Sequence, residues 1–199
     1  MFSPDSHLAS FRRLVKSIPT PYQTLDANRM TLLYLLSSGM DLLSSLDSLD
    51  KTRVIEWIYA QQIPGGFACG PSAGPKTRNS GEPNAYWETH IAMTYSALCV
   101  LKIFGDDFSR VDVRGIIDGL REFRMLNGCF RSLPRPSEED MRFIYCACVI
   151  SSMLEDWSGV DLDTTTEFIL QCQAWDGAFG MQIGQEAHGG ELNSGDGRD

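Results

Sequence analysis

The sequence predicts an all-α chain of stacked helix pairs, and three observations carry the prediction. Several segments place apolar residues at the helical period of 3.6, while no stretch alternates convincingly with period 2, so strands are not needed. A short motif recurs three times: Gln or Arg, then Gly four residues on, then Phe two further. It reads Gln61-Gly65-Phe67, Arg124-Gly128-Phe130 and Gln173-Gly177-Phe179. Finally, Tyr95 and Tyr145 lie at matching places in two apolar helices, 50 residues apart. Helix pairs repeating at about this interval stack into a solenoid or a closed ring of inner and outer helices.

The first helix runs from about Ser6 to Ser17 and stops before Pro19 and Pro21, which cannot continue it. The second spans about Asp26–Ser45, with Leu32, Leu35, Leu36, Leu42 and Leu43 on its apolar side. Further helices fall at about Lys51–Gln62, His90–Phe104, Val111–Met125, Glu138–Glu155 and Leu162–Cys172. Asp50, Asp112 and Ser137 stand where N-caps belong. Each motif glycine follows a helix, so the left-handed cap conformation is expected there, with the phenylalanine packing back on the helix end. The segment Cys69–Tyr86 is rich in Gly, Pro and Ser and reads as an exposed loop. In the third repeat the next inner helix would begin near His188, yet the sequence ends at Asp199 with polar ELNSGDGRD. The outer helix at 162–172 is therefore expected to lack its following partner, leaving the ring incomplete.

Composition narrows the function. Of 199 residues, 43% are hydrophobic and 22% charged, which fits a globular chain and not a disordered one. The net charge of −9 disfavours nucleic acid and anionic membrane as partners. Residues 1–150 balance 16 acidic against 16 basic side chains, so the whole excess sits in residues 151–199, where Arg198 is the one basic residue. No secretory signal is read at the start, and the apolar stretch Phe143–Leu154 is too short to span a bilayer. Six scattered cysteines without C-x-x-C spacing then read as reduced thiols in the cytoplasm.

Several strings resemble a known family. SSGMDLLSSLDSLD, VIEWIYAQQ, HIAMTYSALCVLKIFGDDFSRV, DMRFIYCACV, MLEDWSGVDL and EAHGG are similar to β subunits of protein geranylgeranyltransferase type I, across nearly all of residues 20–190. The β subunits of protein farnesyltransferase and of the Rab enzyme share the repeat but fit these strings less well. The resemblance implies an α/α toroid, a ring of inner and outer helices around an apolar funnel. It implies residues 1–190 as the N-terminal part of that domain and 191–199 as a tail foreign to the family. It also implies an α-subunit partner and transfer of geranylgeranyl from geranylgeranyl diphosphate to the cysteine of a C-terminal CaaX sequence, with X usually Leu. The protein substrates would be small GTPases of the Rho and Rac type.

By the same resemblance, Thr31 lines the far end of the lipid funnel, where a small residue leaves room for the longer isoprenoid. Tyr145 stacks on the isoprenoid, and His188, Gly189 and Gly190 face the diphosphate, where free N–H groups at a helix start suit an anion. His90, Ala92 and Phe143, with Thr31, form the pocket for the last CaaX residue, and Arg142 hydrogen-bonds the peptide. Packing alone gives a rival account of each. Thr31 is then an ordinary helix threonine, His90 a capping histidine and Tyr145 a core tyrosine matching Tyr95. Arg142 becomes a partner of Glu138, Glu139 or Asp140, although an arginine at a helix start is poorly placed for the helix dipole.

The family's zinc ligands, an Asp-x-Cys pair and a later histidine, are absent. The sequence has no Asp-x-Cys; its histidines are His7, His90 and His188; Cys146 and Cys148, two apart, face different sides of a helix. Zinc is thus expected of the full-length family enzyme and not of this chain, which should be inactive alone. The alternative is a non-catalytic form that binds the α subunit or a substrate tail. A terpene cyclase on the same toroid is disfavoured, since no Asp-x-Asp-Asp motif is present.

Overall fold

The computed structural model describes residues 3–20, 28–70 and 88–187. Among these, seven α-helices form: α1 (Pro4–Lys16), α2 (Arg29–Leu42), α3 (Lys51–Tyr59), α4 (Ile91–Ile103), α5 (Val113–Phe123), α6 (Met141–Met153) and α7 (Leu162–Gln171). A 3-10 turn covers Leu46–Ser48, and two strands of two residues, β1 (Gln62–Ile63) and β2 (Gly66–Phe67), pair with each other. The helices bear out the period-3.6 reading, with ends shifted by a few residues. The expected exposed loop after Phe67 lies mostly outside the described residues, as do His188, Gly189, Gly190 and the tail.

The repeat is built from three local devices. The first closes α2, α4 and α6. Ser44, Gly105 and Glu155 take positive φ of 50°, 67° and 54°. The next N–H then reaches back five residues: Ser45 to Met40, Asp106 to Leu101 and Asp156 to Ser151, at 2.9, 2.9 and 3.0 Å. This arrangement satisfies carbonyls that the helix end would otherwise leave unpaired.

The second device opens α3, α5 and α7. Asp50, Asp112 and Asp161 each accept the N–H three residues on, from Arg53, Gly115 and Thr164. Two of these caps agree with the sequence reading and Asp161 extends it. Ser137 does not cap α6: Asp140 does, accepting the Arg142 N–H. The Ser137 hydroxyl instead accepts the N–H of Leu133 at 3.0 Å, which makes it a loop brace.

The third device corrects the expectation for the motif glycines. Gly65, Gly128 and Gly177 have φ of 87°, 86° and 87°, but they lie five or six residues beyond their helix ends. They turn small hairpins rather than capping helices. The Gly128 N–H donates to the Met125 carbonyl at 3.1 Å and that of Gly177 to Ala174 at 2.9 Å. Antiparallel bridges join Arg124 to Phe130 and Gln173 to Phe179, matching β1–β2 in the first repeat. Strand pairing is therefore present, in pieces too short for period-2 alternation to register.

The chain divides into two compact units. The first comprises Met1–Ile63, Phe67–Thr89 and Ser96–Val111; the second comprises Pro64–Gly66, His90–Tyr95 and Asp112–Asp199. Met30, Met40, Ile58, Phe67, Leu98 and Leu101 are fully buried in the first. In the second, Ile91, Ile116, Leu120, Phe130, Met141 and Ile144 fill the core. α5 shows how the sequence sorts its sides, burying Ile116, Ile117, Leu120 and Phe123 while Arg114, Asp118 and Arg121 stay in water. The first unit also carries a surface network. The Arg110 guanidinium pairs with both Glu56 oxygens at 2.5 and 3.1 Å and lies 4.1 Å from the Tyr59 ring centre, while the Tyr59 hydroxyl donates to Asp106 at 2.7 Å.

Candidate functional site

The hairpins position the site. In each repeat, the residue two beyond the motif phenylalanine accepts an N–H from the start of α2, α4 or α6. Met30 donates to Cys69, Ile91 to Ser132 and Met141 to Met181, at 3.2, 3.1 and 3.0 Å. These bonds align the three helices residue by residue. Thr31, Ala92 and Arg142 follow the donors and so share one register position. Tyr34, Tyr95 and Tyr145 share another, three residues later, and all are half-buried. Three of the predicted site residues are thus repeat-equivalent. Tyr34 belongs with the other tyrosines, although the longer first interval hid it in the sequence.

In the second unit, His90, Ala92, Arg142 and Phe143 come together. His90 caps α4: its Nδ1 accepts the Ala92 N–H at 3.1 Å, and its carbonyl accepts from Met93 and Thr94. An accepting Nδ1 leaves the proton of the neutral ring on Nε2. The imidazole meets Phe143 edge-on, with ring centres 6.2 Å apart. The Arg142 guanidinium lies 5.4 Å from the same Phe143 ring centre. Tyr95 and Tyr145 also pack edge to face, 5.7 Å apart. The capping histidine and the paired tyrosine are therefore real structural roles, and they set the side chains that line this cluster.

Arg142 is held by its own helix cap. Its Nε donates to Asp140 Oδ1 at 3.0 Å and its Nη2 to Oδ2 at 2.6 Å, with Glu138 3.5 Å away. The Asp140 side chain is only 8% exposed, whereas half of Arg142 is in water. A buried carboxylate thus orients a partly exposed guanidinium through two parallel hydrogen bonds. The pairing also offsets the unfavourable helix dipole. Sequence reasoning raised Asp140 only as a rival partner for Arg142; its position before an apolar run was the signal for a cap.

Thr31 sits in the first turn of α2 in the first unit, half-buried beside the fully buried Met30. The chemistry available in the second-unit cluster is recognition, through a planar cation and aromatic edges. Burial pushes the Cys129 thiol up to about 12 and also raises Cys148. Among the described residues, no group of three or more His, Cys, Asp or Glu side chains is arranged to hold a metal. Nor is any helix there long and apolar enough to cross a membrane.

Residues 2–195 match the family of the prenyltransferase alpha-alpha toroid domain. The chain is 33% identical to the geranylgeranyl transferase type-1 subunit beta of Arabidopsis thaliana, over 95% of its own length and 53% of that protein. It is also 33% identical to the Dictyostelium discoideum subunit of the same name, over 90% of its length and 57% of the relative. Against the farnesyltransferase subunit beta of Schizosaccharomyces pombe the identity is 26%. The fold is similar to that in Candida albicans protein geranylgeranyltransferase-I complexed with GGPP. The TM-score is 0.82 at 19% identity, covering 98% of this chain and 58% of that one. The chain therefore spans about half the length of the curated relatives it matches. On its repeat, its fold and these matches, it belongs to the prenyltransferase α/α toroid family, among proteins similar to type I geranylgeranyltransferase β subunits.

Proposed function

We propose that this chain provides part of the substrate-binding wall of a protein geranylgeranyltransferase type I β subunit. The supporting observation is the cluster of His90, Ala92, Arg142 and Phe143 at the starts of α4 and α6, with Arg142 oriented by buried Asp140. In this reading Arg142 and its neighbours bind a C-terminal CaaX peptide with Leu last. Thr31 and Tyr145 face geranylgeranyl diphosphate, and His188, Gly189 and Gly190 approach its diphosphate. The partner is a prenyltransferase α subunit, the substrates are Rho- and Rac-type GTPases, and the compartment is the cytoplasm.

The zinc of the family does not fit this chain. Thiolate activation needs a ligand set that lowers the thiol pKa, and neither an Asp-x-Cys pair in the sequence nor a cluster among the described residues offers one. The second reading is a non-catalytic form that holds the α subunit or a substrate tail. One experiment separates the readings. The chain is co-purified with the α subunit, then supplied with zinc, geranylgeranyl diphosphate and a fluorescent CaaX-Leu peptide. Co-purification and lipid binding without turnover are expected. Zinc-dependent turnover overturns the claim of inactivity. Failure to bind either the α subunit or the lipid overturns the family role.

A further inference from the structure

Three hydrogen bonds fix the segment in front of α6. The Ser132 N–H donates to the Glu138 carbonyl at 2.8 Å, the Gln182 side chain donates to the Glu139 carbonyl at 2.6 Å, and the Met141 N–H donates to the Met181 carbonyl at 3.0 Å. Asp140 lies among these anchors with its backbone extended, at φ −167° and ψ 179°. Its carboxylate is therefore placed by the surrounding chain, and it has little access to water. Oδ1 accepts both the backbone N–H and the Nε–H of Arg142, each at 3.0 Å, while Oδ2 accepts from Nη2 at 2.6 Å.

Two bonds to one edge of a guanidinium fix its plane, and with it the direction of every other donor on the group. An arginine half in water would otherwise sample many rotamers. The other acidic neighbour cannot replace this hold. Glu138 stands 3.5 Å from Nη2, but its side chain is 74% exposed, so water and salt screen the pair. The oriented group also lies against Phe143, whose ring meets His90 edge-on. His90 is itself held by the Ala92 N–H. Asp140 is thus the buried end of a chain of contacts running through the whole cluster.

We propose, on the substrate reading given above, that Asp140 is the positioning residue for peptide binding by Arg142. Affinity for the peptide depends on the plane of the guanidinium that Asp140 sets, and not on the positive charge alone. The two possibilities differ in sign. A CaaX peptide ends in a carboxylate, and an anion beside Arg142 lowers the local positive potential. If charge alone governed binding, removing the Asp140 charge would tighten it. If orientation governs, the same change loosens it.

The full chain, co-purified with the α subunit and loaded with geranylgeranyl diphosphate, is titrated with a fluorescent CaaX-Leu peptide. Asp140→Ser keeps an oxygen that caps α6 but is too short to fork the guanidinium, so its melting temperature should stay close to wild type. Its Kd for the peptide should rise by about five- to tenfold, the scale of one lost hydrogen bond. Asp140→Asn, which keeps one acceptor for Arg142, should fall between. In an Arg142→Ala background Asp140→Ser should change nothing further, because Asp140 acts only through Arg142. A role in the fold alone would lower affinity in both backgrounds. Unchanged or tighter binding by Asp140→Ser, or an equal loss in the Arg142→Ala background, overturns the proposal. A second readout needs no ligand: the ¹⁵N–¹H NOE of the Arg142 Nε should report an ordered side chain in the wild type and a mobile one in Asp140→Ser. Equal mobility in the two overturns the proposal as well. A wild-type complex that binds no peptide overturns the substrate reading together with this role, whereas wild-type binding with an indifferent Asp140→Ser overturns this role alone.

Discussion

Asp140 does two things at one carboxylate: it caps α6 and fixes the direction of Arg142. Replacing it with Ala removes both. The stability loss should be about 1–2 kcal/mol, almost all from the cap, because Arg142 is half exposed and an ion pair there contributes little. Urea unfolding of Asp140→Ala against Arg142→Ala separates the two, and only the aspartate variant should lose stability on that scale. Cys129 gives a second residue-level prediction. Burial raises its thiol to about 12 from the ordinary 9.0, so the native state favours the neutral form. The stability from that preference is complete below pH 9 and is lost as pH rises toward 12. Wild type should therefore lose more stability across this window than Cys129→Ala, as read by chemical unfolding at several pH values. At neutral pH the native thiol should also resist iodoacetamide until the chain is unfolded.

At the scale of elements, the three hairpins share one backbone shape but not one environment. All three motif glycines have φ near 87°, a region that costs an L residue about 1 kcal/mol. Gly177→Ala should cost only that, since a Cβ there meets no described atom within 4 Å outside the turn's own neighbouring residues. Gly128→Ala adds a collision with the Thr164 backbone and puts at risk the hydrogen bond from the Thr165 hydroxyl, so about 3 kcal/mol or more is expected. Thermal or urea unfolding of the pair measures the difference. Equal costs would mean that the Gly128 turn does not bear on α7. The motif itself was legible in the sequence, but its role was not. A glycine after a helix suggests a cap, and only the bridges from Arg124 to Phe130 and from Gln173 to Phe179 reveal a hairpin.

At the scale of the whole molecule, local stability should follow burial. α1 buries no residue, whereas α4 and α6 are buried along most of their length. Native-state hydrogen exchange should therefore find the fastest helical amides in α1 and the slowest in α4 and α6. Protection of α1 equal to that of α4 would contradict this ranking.

The sequence by itself determined the helical class, the order of the helices, the aspartate caps at Asp50 and Asp112, and the family to which the repeat belongs. These are readable because they depend on period, on spacing and on side chains that act within a few residues. It also brought His90, Ala92, Arg142 and Phe143 forward, though only as resemblances. The tertiary structure decided what each residue touches. It set Asp140 beneath Arg142, turned His90 edge-on to Phe143, and aligned Thr31 with Ala92 and Arg142 through hydrogen bonds to Cys69, Ser132 and Met181. Those bonds join residues about 40 positions apart. No local pattern encodes them, because which hairpin strand meets which helix start is fixed only when the repeats pack.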